Sequence, residues 1–197
     1  MENNGYKKYK TLPCPEHDMQ VWYRIVCGFG YDELHDDYKV VVGFYEDDYD
    51  PYGEVKIYSL KSDSWTNVDY GGVLVNGPAM FVNGKLHWAT CDPDLIGRKN
   101  MNIISFDLAD EKWEKMEHPC YGEEGFLLKV GVLRSDLFVF SEYESTHIDV
   151  WVMKEYGKEQ YCQATVLEEQ LNPILIGVVF SLRGRRKGKL IARSQIP

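Results

Sequence analysis

The stretch "YSLKSDSW" at residues 58–65 returns as "FDLADEKW" at residues 106–113. Leu60 aligns with Leu108 and Trp65 with Trp113, both at a shift of 48. Each copy places an aromatic residue two before a leucine and a tryptophan five after it, with a polar turn between. Self-similarity at such a period is the mark of a repeat architecture, because each copy is a supersecondary unit that buries its apolar face only against its neighbours. A third, weaker copy follows 45 residues on, where Trp151 and Met153 stand in the places of Phe106 and Leu108.

The segments between the copies read as strands. Short alternating or continuous apolar runs are bounded by Gly, Asn, Asp and Pro. Residues 21–29 and 38–45 form two strands joined by a polar loop, and residues 55–60 and 65–68 form a hairpin. Residues 80–82 and 86–90 flank Asn83-Gly84, a dipeptide suited to the type I′ turn because both central residues need positive φ. Residues 103–108 with 113–116, 129–133 with 137–141, and 150–153 with 161–166 continue the series; 178–182 with 189–192 offer a last hairpin. Residues 166–171 are the one weak helix candidate. The unit is thus two hairpins in roughly 45–50 residues, a β-propeller blade length. The fold expected is all-β: a kelch-like, incomplete propeller of about four blades or partial blades, with residues 1–197 as a single domain. In that arrangement Trp65 and Trp113 cover the seams between blades.

Composition narrows the function. Aromatic content of 14%, with 14 Tyr and 5 Trp, suits a half-buried pleated surface. The 22 basic and 31 acidic residues leave a net charge of −9, which argues against nucleic acid as the main ligand. Charge is also uneven: residues 31–54 hold nine acids and one base, Lys39, while residues 181–197 hold six bases and no acid. The basic segment has the composition of a localisation signal or of a charged hairpin turn. Five dispersed cysteines without a CxxC suggest reduced thiols in a cytoplasmic or nuclear protein. No apolar run reaches the ~18 residues of a membrane span, and no signal peptide is read at the start.

No nucleophile elbow, HExxH, Walker A loop or dinucleotide-binding glycine pattern occurs. The pair Gly28 and Gly30 reads as strand-end glycines, and His87, beside Trp88, as a packed histidine. No cofactor, metal or catalytic residue is expected. The most suggestive loop is "EDDYDPYGE" at residues 46–54. There Tyr49 and Tyr52 stand among Asp47, Asp48 and Asp50, either as a solvated connection or as a protein-binding loop, since Tyr supplies large contact area at low entropic cost; metal binding is the least favoured reading, because the EF-hand order and its distal Glu are absent. A binding surface is expected on loops of one face, at residues 31–37, 47–53, 91–100, 117–126 and 142–147.

Several stretches in the same order also resemble a known family. "CGFGYD", "DDYKVV", "VKIYSLKSDSW", "FVNGKLHW", "IISFDLADEKW" and "VWVMKEYG" look like the plant F-box-associated domain, type 1, found in F-box/kelch-repeat and S-locus F-box proteins. The likeness is strongest over residues 8–161. It implies the substrate-recognition part of a Skp1-cullin-F-box (SCF) ubiquitin ligase: a non-enzymatic domain that binds a protein target. The sequence carries no F-box motif of its own, and the C-terminal "VVFSLRGRRKGKLIARSQIP" follows the family only loosely. Skp1 and cullin are therefore expected as partners only of a longer form that supplies an F-box. The alternative is a stand-alone interaction or regulatory protein, or a truncated gene product, without adaptor binding.

Overall fold

A computed structural model describes residues 10–15, 24–45, 53–69, 74–91, 101–116, 127–133, 135–143, 147–153, 156 and 161–167. Twelve strands run in chain order: β1 (Arg24–Asp32), β2 (Asp37–Tyr45), β3 (Glu54–Ser59), β4 (Ser64–Val68), β5 (Leu74–Val82), β6 (Lys85–Cys91), β7 (Met101–Asp107), β8 (Lys112–Met116), β9 (Leu127–Leu133), β10 (Asp136–Tyr143), β11 (His147–Met153) and β12 (Tyr161–Leu167). They make three four-stranded antiparallel meanders, β1-β2-β3-β4, β5-β6-β7-β8 and β9-β10-β11-β12. Each is one blade, and no strand pairing closes the three into a ring among the described residues.

Alternation along each strand builds the stack. In β6, Leu86 and Trp88 face the first blade, while His87 and Ala89 face the third. Val26, Val41, Tyr45, Val55 and Ile57 of the first blade pack on Val75, Leu86, Trp88, Ile104, Phe106 and Leu108 of the second. Ala89 and Ile103 of the second blade meet Leu128, Val130 and Val139 of the third. Val82, Leu137 and Met153 extend that second seam. Gly28 and Gly30 lie inside β1, not at its end, and their role is close approach. A Cβ on Gly28 would come 2.7 Å from both Ala79 Cβ and Leu86 Cδ1. One on Gly30 would overlap the Phe81 ring.

Turn chemistry follows the repeat. Asn83 and Gly84 have φ of 51° and 76°, as a type I′ hairpin demands. Asp63 and Glu111 end the turns after β3 and β7 with φ of 57° and 55°, and their backbone N–H groups bond to Ser59 O and Asp107 O at 3.0 and 2.9 Å. The helix expected over residues 166–171 is not formed where the chain is described. Val166 and Leu167 belong to β12 and pair with Ile148 and His147; cross-strand pairing overrides a weak local helical preference. The hairpin expected at residues 178–192 lies outside the described residues.

Candidate protein-binding surface

Antiparallel meanders put successive turns at alternate ends of a blade. The β1–β2 and β3–β4 turns therefore share one end, and Lys61 Nζ, in the second, reaches His35 O in the first at 2.8 Å. The β7–β8 turn of the second blade lies at this end too, held by Lys39, as does Tyr156 of the third. This turn end presents rigid hairpin tips. Residues 31–37 belong to it. The described strand ends at Tyr45, Cys91, Met116 and Tyr143 lie at the opposite end, and residues 47–52, 92–100, 117–126 and 144–146 of the other expected loops lie outside the described residues.

Buried charges fasten the turns. Asp32 is fully buried in its side chain. Its Oδ1 accepts the N–H groups of Leu34 and His35 at 3.0 and 3.1 Å. Its Oδ2 lies 2.8 Å from His35 Nδ1 and 3.0 Å from Lys39 Nζ. Burial works against this carboxylate, but the hydrogen bonds from His35 and Lys39 outweigh it and hold its pKa below the usual value. Lys39 crosses the seam. Its ammonium donates to Leu108 O at 2.6 Å and pairs with Glu111 at 2.9 Å, both in the second blade. Burial pulls the Lys39 pKa down, yet the Glu111 and Asp32 contacts prevail and raise it. Lys85 holds the corresponding place in the second blade, paired in register with Asp107 as Lys39 is with Ser59. It binds Asp107 at 3.2 Å and Glu114 at 2.5 Å.

The second seam carries a different pair at the same height. His87 is fully buried. Its Nδ1 lies 3.0 Å from Met80 O, an acceptor only, so Nδ1 carries the proton. Nε2 then accepts the Tyr156 hydroxyl hydrogen at 2.7 Å. Burial lowers the His87 pKa to about 4 and raises the Tyr156 phenol to about 12. Histidine here is a neutral clasp between blades.

The repeated residues occupy matching places. Tyr58 pairs in register with Trp65, and Phe106 with Trp113; ring centroids are 5.0 and 4.8 Å apart. The Trp65 indole N–H donates to Pro13 O at 2.9 Å, and that of Trp113 to Asp69 O at 3.1 Å. Each tryptophan thus ties the outer strand of its blade to the segment that feeds that blade's first strand. Trp113 also meets Trp88 at 5.5 Å, within the first seam. Leu60 N–H bonds Tyr38 O at 3.0 Å and Leu108 N–H bonds Gly84 O at 3.2 Å. In the third blade Trp151 pairs in register with Val139 and Gln163, so a glutamine holds the strand position that tryptophan has in the first two blades.

What is left exposed at the turn end is a set of short tips. Leu34 is 74% exposed, between exposed Glu33 and His35, with Asp36 bonded to the Tyr31 hydroxyl. Such a surface suits recognition of another protein: fixed backbone, one apolar tip and surrounding acids. Among the described residues no group of His, Cys, Asp and Glu is placed to hold a metal ion. Asp47, Asp48, Tyr49, Asp50 and Tyr52 lie outside the described residues, as does the basic segment 181–197. Lys39, Asp32, His87 and Tyr156 were not anticipated as a framework. The one available signal was Lys39, a lone base among nine acids in residues 31–54.

Comparison with known proteins agrees with this architecture. Three relatives come from Arabidopsis thaliana. The F-box/kelch-repeat protein At3g23880 is 34% identical over 140 residues, covering 68% of this chain and 37% of the relative. The F-box protein CPR1 is 34% identical over 154 residues, covering 66% and 37%. The F-box protein At4g22390 is 32% identical over 181 residues, covering 78% and 44%. The chain therefore spans less than half the length of these relatives. Residues 4–185 match the F-box associated beta propeller domain. With three stacked four-stranded blades behind that match, the chain belongs to the F-box-associated β-propeller family.

Proposed function

We propose that this chain is a protein-recognition domain that selects targets for an SCF-type ubiquitin ligase and grips them at the turn end of its blades. The observation that carries the reading is the family match over residues 4–185, shared with relatives named as F-box proteins. The framework of Lys39, Asp32 and Glu111 supports it, because a surface whose turns are already fixed loses little entropy on binding. The chain's role is to hold a target; ubiquitin transfer belongs to the ligase components that an F-box would recruit. The loop with Asp47, Asp48, Tyr49, Asp50 and Tyr52 is a second binding surface of this proposal, on the strength of its composition.

The test is a fusion of the chain behind an F-box helical motif, expressed in plant cells, with ubiquitin-remnant proteomics as the readout. A set of proteins should gain ubiquitin with the fusion and lose that gain with Leu34→Asp, an exposed position whose substitution leaves the fold intact. The same assay on Tyr49→Ala/Tyr52→Ala reads that second loop. No fusion-dependent set of targets would overturn the proposal. Retention of Skp1 by the unfused chain would show adaptor docking, and its loss from the unfused chain alone marks the F-box as the docking element.

A further inference from the structure

The first two blades repeat a set of three groups beside their turn end. Tyr58, Asp63 and Trp65 of the first stand 48 residues before Phe106, Glu111 and Trp113 of the second. Each ring pairs in register with its tryptophan, and each acid ends its turn at positive φ, 57° and 55°. Each acid receives a lysine ammonium, and each indole donates to a backbone carbonyl. In the second blade Glu111 meets Lys39 at 2.9 Å and Trp113 donates to Asp69 O at 3.1 Å. In the first blade Asp63 meets Lys10 at 2.7 Å and Trp65 donates to Pro13 O at 2.9 Å.

The suppliers of the lysine differ. Lys39 belongs to a strand of the neighbouring blade, 72 residues from Glu111. Lys10 belongs to residues 10–15, which form neither strand nor helix. The set therefore reads an ammonium, whatever backbone carries it. The grip differs as well. The Lys39 side chain is 8% exposed, whereas those of Lys10 and Asp63 are 44% and 64% exposed. An ion pair so open to water holds weakly, and the Lys10 ammonium, 5.5 Å from the Tyr58 ring centroid, adds only an exposed cation–π contact. The seat itself is fixed, because the Tyr58 hydroxyl bonds the Asp63 carboxylate.

We infer that residues 10–15 are an exchangeable strap in this socket, and that an extended, lysine-bearing segment of a target protein takes their place. Its ammonium lies between the Tyr58 ring and Asp63, and its carbonyl three residues further on accepts the Trp65 indole N–H. A helical segment is a poor occupant, since its carbonyls already accept helix hydrogen bonds. The inference rests on the recognition role proposed above and names the class of segment that is gripped.

A fluorescein-labelled peptide of residues 8–15, carrying Cys14→Ser, is titrated against the full-length chain by anisotropy at about 50 mM salt. It should bind the Lys10→Ala chain about tenfold more tightly than the wild-type chain, whose own tethered strap competes. Adding Asp63→Asn, which tolerates the positive φ, should remove about fivefold. A peptide that keeps Lys10 and Pro13 but has alanine at the other positions should bind within about threefold of the first. Circular dichroism melts check that the variants stay folded. No binding to Lys10→Ala, equal affinity for the two chains, or binding indifferent to Asp63 would overturn the inference. So would binding by the native strap sequence alone, which would make the strap a fixed internal closure. Peptide binding is read apart from ubiquitin transfer, so failure here and failure of the recognition role are separate results.

Discussion

Replacing Lys39 by methionine isolates the main cross-seam ion pair. The side chain is 8% exposed and holds three oxygens: Leu108 O at 2.6 Å, Glu111 at 2.9 Å and Asp32 at 3.0 Å. Methionine keeps most of the volume, so the loss is electrostatic. Breaking a buried pair costs about 3–5 kcal/mol, because the remaining charge stays desolvated. Asp32 retains three donors from Leu34 and His35, and Glu111 is 42% exposed and regains water. Those two facts lower the expected loss to about 2–3 kcal/mol in urea melts at pH 7. The double variant Asp32→Asn/Lys39→Met removes the stranded charge and should cost at least ~1 kcal/mol less than the sum of the single variants. Asp32, whose pKa is depressed in the fold, contributes stability above its unfolded value of 3.8 that is lost as pH falls through the lower folded value. Lys39, raised in the fold, contributes stability below 10.5 that is lost as pH rises through the higher folded value. Both flanks should flatten in Lys39→Met. A loss under about 1 kcal/mol, or additive single and double variants, would refute a buried ionic pin.

Other outcomes follow from the same geometry. Trp113→Ala should cost ~3 kcal/mol in denaturant melts and Trp65→Ala about half as much, because Trp113 packs into a seam and Trp65 mainly under residues 10–15; equal losses would contradict that difference. Gly30→Ala should lower stability by about 1–3 kcal/mol, since the added methyl meets the Phe81 ring and Leu108 Cδ1; a neutral result in thermal melts would disprove the close approach. His87 prefers its neutral form in the fold, so the unfolded chain takes up its proton first as pH falls from 6.5 toward about 4. Over that window stability should drop by up to ~3 kcal/mol, and His87→Gln should abolish that component of the pH dependence.

Local pattern revealed the strands well. Asn83-Gly84 marked its hairpin because the turn's positive φ values leave a residue signature, and the paired motifs at Trp65 and Trp113 marked the blade period. Pairings between blades left no such trace. Lys39 meets Leu108 and Glu111 across 69 and 72 residues, and His87 meets Tyr156 across 69. Neither spacing is dictated by a turn or a strand period. Gly28 and Gly30 read as strand ends because a glycine's local message is flexibility, whereas their use here is to let another sheet come near. Residues 31–37 leave from the end of the sheet opposite to the strand ends that flank the other expected loops, because composition identifies a loop but not the end of the sheet to which it belongs.

The indole clasps set an order of events during synthesis. Pro13 leaves the ribosome 52 residues before Trp65 can bind it, and Asp69 leaves 44 residues before Trp113. The feeder to each of the first two sheets therefore waits, unfastened, until the last strand of that sheet has been made. A nascent chain halted between the two halves of a clasp leaves that feeder without the indole that holds it, whereas the third sheet, with Gln163 in the tryptophan's place, is assembled without such a delay.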